Sequence, residues 1–171
     1  LGYTARRTMA LAQQLYEGIE IGTGGAVGLI TYMRTDSTNV AEMAQAEARQ
    51  YIQERFGEQF LPSTPPRYKT KTRGAQEAHE AIRPTYASNR EIDGPAAQKK
   101  LYELIWKRTV ASQMAEAKIE RTSIQIDISG APQYFVARGE VIVFDGFLKV
   151  YEESRDDDAS DEDKGQLPKL S

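Results

Sequence analysis

The hydrophobic period of the chain changes once, near residue 118, and this constrains the fold more than any other feature. Before that point apolar residues recur at helical spacing. Thr8, Leu11, Ala12 and Leu15 fall at i, i+3, i+4 and i+7, with Thr4 as a candidate N-cap and Gly18 as a stop. Val40, Met43, Ala44, Ala48, Tyr51 and Ile52 mark one face of a second helix ending near Gly57, and Asn39 with Glu42 has capping-box spacing. A third helix is expected from about Pro95, with Tyr102, Ile105, Trp106, Val110 and Met114 turned to the core. After residue 118 the period is two. Ile124, Ile126 and Ile128 alternate with polar residues, and strands are expected at Tyr134–Ala137, Glu140–Phe144 and Phe147–Tyr151, with Asp145-Gly146 as a hairpin turn.

The fold class expected is therefore α+β. A helical domain over 1–118, winged-helix-like and related to helix-turn-helix modules, precedes part of an antiparallel β-rich domain over 119–151. Residues 152–171 form an acidic tail, poor in apolar residues and expected to be disordered. Leu1 in place of methionine, followed by Gly-Tyr, reads as mid-protein sequence, so the chain is expected to be a fragment.

Composition excludes several chemistries. There is no cysteine, hence no disulfide, thiolate zinc site or cysteine nucleophile, and the chain suits a reducing cytoplasm. A lone histidine, His79, excludes a multi-histidine metal site. No stretch reaches the roughly 20 apolar residues of a membrane helix, so no membrane partner is expected. The glycines at 22, 24, 25 and 28 match neither a dinucleotide fingerprint nor a phosphate loop, and no ATP site is expected. The net charge of −3 hides an uneven spread. The tail carries −5, whereas residues 67–90 carry +4 from Arg67, Lys69, Lys71, Arg73, Arg83 and Arg90 against Glu77 and Glu80. Such a basic stretch is what phosphate contact requires, although a merely solvated loop has the same composition.

Two constellations carry chemistry. In the stretch from Gly28 to Ser37 a short strand is expected over Gly28–Tyr32, and Tyr32 is followed by Arg34, Thr35, Asp36 and Ser37. The bland interpretation is a packed aromatic ahead of a helix cap. The chemical one is a tyrosine nucleophile. A phenol titrates near 10 in water, so attack on a phosphodiester needs a nearby cation to favour phenolate and to neutralise charge on the phosphoryl oxygens. Arg34, two residues on, would share Tyr32's face of a strand. A phosphotyrosine conserves the energy of the broken bond, which agrees with the lack of an ATP site. The second constellation runs from Gln76 to Thr85. There His79 and Arg83 stand four apart and on one helical turn would both face a backbone phosphate.

Tyr-Met-Arg-Thr-Asp-Ser, followed some fifty residues later by His-Glu-Ala-Ile-Arg-Pro-Thr, resembles the motif pair of bacterial DNA topoisomerase I, in the type IA family. Residues 12–17 and 137–147 match as well, so the resemblance covers nearly all of the chain before the tail. It implies that Tyr32 forms a 5′-phosphotyrosine link to one DNA strand, that Arg34 stabilises the phosphate, and that His79 contacts DNA near the cleaved bond. Arg83 joins them as a DNA contact, and Thr31, Thr35 and Asp36 would hold the tyrosine loop. Met33 and Arg83 favour topoisomerase I over topoisomerase III. The resemblance further implies relaxation of negatively supercoiled DNA, a single-stranded DNA substrate, the remaining domains of the same polypeptide as partners, and a cytoplasmic, nucleoid-associated enzyme. Its Mg²⁺ would sit on a separate toprim domain, not on this chain. The β-rich part would belong to the arch joining the tyrosine domain to the rest. A non-catalytic winged-helix DNA-binding module is the alternative.

Overall fold

The structure is a computed structural model that describes residues 1–20, 26–68 and 79–151. It divides into two compact units, parting between Ala115 and Glu116. The acidic tail and the central part of the basic stretch, including Lys69, Lys71 and Arg73, lie outside the described residues.

The first unit is built on three helices: α1 (Ala5–Glu17), α2 (Glu42–Phe56) and α3 (Ala96–Ser112). Thr4 caps α1, its hydroxyl accepting from the Arg7 amide at 3.3 Å, and Gly18 ends the helix with φ of +95°. Ala12 and Leu15 are buried on the expected stripe. In α2 the buried residues are Ala48 and Ile52, while Met43, expected to face inward, is 84% exposed. At 100° per residue Met43 lies opposite Ile52, so it cannot share that face. Nor does the expected capping box form. The helix begins at Glu42 with Ala41 at its N-cap and no side-chain cap.

Helix α3 supplies more of the core than any other element. Leu101, Tyr102, Trp106, Val110 and Ala111 are buried, and Met114 just beyond it is too; Ile105, on the expected stripe, is half-buried. Both polar handles are satisfied by one crossing segment: Trp106 Nε1 donates to Ala87 O at 2.8 Å and the Tyr102 hydroxyl to Asn89 O at 2.5 Å. Tyr51 meets the Trp106 ring edge-on at 5.6 Å. Between α1 and α2 a two-residue pair, β1 (Ile19–Glu20) with β2 (Ala26–Val27), brings the chain back.

The second unit is an antiparallel hairpin of β3 (Lys118–Asp127) and β4 (Tyr134–Phe144), in one register from Ile119↔Ile142 to Asp127↔Tyr134, with a shift between Ile119 and Lys118, which pairs with Phe144. The two strands expected at 134–137 and 140–144 are thus one. The strand expected at Phe147–Tyr151 is instead a 3₁₀ turn over Gly146–Lys149, with Val150 N and Tyr151 N both donating to Phe147 O. Asp145-Gly146 starts that turn and makes no hairpin. Gly146 has φ of +52°, and a Cβ there would meet the backbone nitrogen of Ala117 at 2.5 Å. The chain is tucked against residues 116–117, which only a glycine permits.

Candidate active site

Residues 28–36 cross residues 79–85, and this crossing builds the site. The strand expected at Gly28–Tyr32 reduces to a single bridge, Ile30 with Pro84. Proline has no N–H to extend a ladder, so the pairing cannot propagate. Around it the hydrogen bonds are dense. Thr31 N donates to Arg83 O at 2.9 Å, and Thr85 N to Leu29 O at 3.0 Å. The Thr31 hydroxyl donates to Ala81 O at 2.8 Å and accepts from Arg83 N at 2.9 Å, while the Thr85 hydroxyl donates to Gly28 O at 2.6 Å. The end of α1 fixes the other side: Leu29 N donates to Leu15 O at 2.8 Å, and a Cβ on Gly28 would lie 2.8 Å from Tyr16 O.

Tyr32 sits at the end of this frame. Leu29, Ile30 and Met33 are buried around it, yet Tyr32 itself is 56% exposed. Its ring lies edge-on to Tyr16 at 5.3 Å, and its hydroxyl has no hydrogen-bond partner among the described residues. A large aromatic is held in the open by buried neighbours on both sides. Tyr102 makes the contrast: burial and the Glu47 carboxylate push its phenol up to about 12, and its hydroxyl is tied to Asn89.

Beyond Tyr32 the chain turns, with Arg34 N donating to Tyr32 O at 2.9 Å, so the strand that would alternate Tyr32 and Arg34 is absent. Arg34 Nε donates to Asp36 Oδ2 at 2.5 Å. His79 Nδ1 approaches the same oxygen at 3.5 Å, an ion-pair distance without hydrogen-bond alignment. Asp36 Oδ1 is buried and has no hydrogen-bond partner among the described residues. One carboxylate therefore gathers a side chain from each constellation, Arg34 and His79, 45 residues apart in sequence. Thr35 is exposed and makes no side-chain hydrogen bond among the described residues.

Arg83 is placed differently from the expectation. Residues 79–85 are not helical, so His79 and Arg83 do not share a helical face. Arg83 instead donates from Nε and one Nη to the two Glu80 oxygens at 2.9 and 3.0 Å, and from the other Nη to Pro84 O and Thr85 O at 2.9 and 3.3 Å. Its side chain is 15% exposed. Four of its five N–H groups are engaged inside the protein. Glu80, in sequence only a negative charge within the basic stretch, also accepts from Ala41 N at 2.8 Å.

Among the described residues no three acidic or histidine side chains converge as a metal site requires, and no helix is long and apolar enough to cross a membrane.

Over residues 1–171 the chain matches the family described as DNA topoisomerase. It is 48% identical to DNA topoisomerase 1 of Xylella fastidiosa (strain Temecula1 / ATCC 700964), over 97% of this chain and 21% of that protein. It is 46% identical to DNA topoisomerase 1 of Rickettsia bellii (strain RML369-C), over 99% of this chain and 22% of that protein. Among solved structures, full-length topoisomerase I from Thermotoga maritima in a monoclinic crystal form superimposes with a TM-score of 0.77 at 38% identity, covering 98% of this chain and 26% of that one. The chain belongs to the bacterial DNA topoisomerase I family, and it spans about a fifth of the length of these two relatives.

Proposed function

We propose that this chain is the tyrosine-bearing part of a type IA DNA topoisomerase that relaxes negatively supercoiled DNA. Tyr32 Oη attacks a backbone phosphorus of single-stranded DNA, and the bond from phosphorus to the 3′ oxygen breaks. The phenol proton passes to solvent, the departing 3′ oxygen takes up a proton, and the 5′ phosphate stays on Tyr32. Resealing reverses the exchange, so no ATP is consumed. Arg34 supplies the charge that stabilises the phosphoryl oxygens, and His79 contacts a phosphate close by. The observation that carries this reading is a solvent-facing tyrosine whose hydroxyl is unpaired among the described residues, clamped between buried neighbours within two residues of the Arg34–Asp36–His79 cluster.

The Mg²⁺ of the reaction belongs, in this proposal, to a toprim domain elsewhere in the polypeptide, since the described residues offer no cluster that fits it. The isolated chain then binds single-stranded DNA weakly and cleaves nothing, and the whole enzyme works in the cytoplasm on the nucleoid. The winged-helix kinship of the first unit is part of the proposal, supported by its three helices and the small β1–β2 pair. The β3–β4 hairpin is the start of the arch.

The test is Tyr32→Phe in the full-length enzyme. Supercoil relaxation and protein-linked DNA should both vanish while the melting temperature stays, because only the hydroxyl is removed. Cleavage surviving in that variant refutes the reading and leaves the non-catalytic DNA-binding module, which no feature of the site favours now.

A further inference from the structure

We infer that Glu80 and Arg83 are positioning residues: a two-residue clasp that sets where His79 stands relative to the tyrosine loop, and not a DNA contact. The inference rests on the proposed nucleophile role of Tyr32. One Glu80 carboxylate oxygen accepts both from Arg83 Nε and from Ala41 N, the N-cap amide of α2, while the other accepts from an Arg83 Nη. In a capping box the N-cap amide is taken by a glutamate of the same helix. Here a glutamate 39 residues away takes it, so the start of α2 is fixed to the residue next to His79.

Arg83 closes the other end. Its second Nη donates to Pro84 O and Thr85 O, and its own backbone N–H and C=O engage Thr31, the residue before Tyr32. Ala81 N adds a bond of 2.7 Å to Asn39 O. The segment 79–85 is thereby tied at one end to residues 39–41 and at the other to residues 28–31. His79, immediately before the first of these ties, meets Asp36. At 28% and 15% exposure, Glu80 and Arg83 form a charge-assisted bidentate pair largely out of water, the geometry in which such a pair is rigid. Phosphoryl transfer tolerates little misplacement of its charged groups, so loosening the clasp should slow chemistry more than binding.

The two roles open to Arg83 predict opposite behaviour for Glu80. As a clasp, Glu80→Ala and Arg83→Ala in the full-length enzyme each lower the rate of covalent DNA adduct formation by about ten- to a hundredfold. The double variant is no worse than either single one, KM moves little, and Arg83→Lys recovers part of the rate. The slope of log DNA affinity against log salt is unchanged in all of them. As a phosphate contact, Arg83→Ala would flatten that slope by about 0.7 for single strands, and Glu80→Ala would release the arginine and tighten binding. That pair of results would overturn the inference. Should the alanine variants fail to fold, Glu80→Gln and Arg83→Gln keep hydrogen bonding without the charge and give the same readouts. An unsubstituted enzyme that forms no adduct at Tyr32 would refute the proposed function; normal adduct rates in both single variants would refute the clasp alone.

Discussion

The helical unit and the hairpin have similar apolar content along their elements, and use it in opposite ways. In the helical unit Leu15, Ile52, Tyr102 and Val110 are 0 or 1% exposed. In β3 and β4 no residue is buried: Phe135 is 66% exposed, Val143 57% and Ile126 51%. Val141, Ile142 and Val143 run consecutively, so both faces of β4 are apolar, the pattern of a strand covered on two sides. A two-stranded ribbon cannot bury such surface by itself. The unit with a core of its own holds Tyr32, Arg34 and His79, which the proposed chemistry needs at fixed positions.

Trp106→Ala should break the helical unit if this comparison is right. It removes a buried ring and its bond to Ala87 O, at a cost of about 3–5 kcal/mol by chemical denaturation. Phe135→Ala on the hairpin should cost within about 0.5 kcal/mol in the same measurement. Equal losses would erase the distinction between the two regions.

A smaller effect should separate them by pH. The folded Tyr102 phenol titrates at about 12 against 10 when unfolded. The unfolded chain therefore releases this proton first, and stability falls as pH rises from 10 towards 12, by up to about 2–3 kcal/mol. Tyr102→Phe should remove that dependence from the helical unit's unfolding curve, and a dependence that persists would place it elsewhere.

Thr31→Val should cost about 1–3 kcal/mol, because Ala81 O and Arg83 N both lose their partner, while Thr31→Ser keeps the hydroxyl and most of the stability. The melting temperatures of the pair check this. Identical losses would mean that the methyl group, not the hydroxyl, holds the crossing.

Smallest of all is the DNA affinity of the isolated chain. A salt slope between about −1 and −3 is expected, with no response to Mg²⁺. Mg²⁺-dependent nicking by the chain alone would place the metal site within it.

Much of this was legible in the sequence, and what was not has a physical reason. The stripe from Thr8 to Leu15 and the large residues of α3 announce themselves by period, since burial follows helical geometry. Tyr32, Arg34 and His79 stand out by residue type and motif. What sequence spacing cannot supply is contact across distance. The Thr31 hydroxyl works on residues 50 and 52 positions away, and Glu80 on Ala41. Arg83 was misplaced because a spacing of four implies a shared face only on a helix, and Pro84 helps keep that segment from being one. Its partner Glu80 was visible three residues earlier. Phe147–Tyr151 has strand composition, but the tight approach of Gly146 to residues 116–117 turns it into a helical one.

The central claim, that Tyr32 is the DNA-linked residue, is tested most directly by mapping the covalent adduct. The full-length enzyme, mixed with a single strand labelled at its internal phosphates and rapidly denatured, is digested with nuclease and trypsin. Cleavage after Arg7 and Arg34 yields one peptide, Thr8 to Arg34, that holds two tyrosines, Tyr16 and Tyr32. Fragment mass spectra should place the nucleotide phosphate on Tyr32. A phosphate on Tyr16, or on any peptide outside this span, would contradict the account.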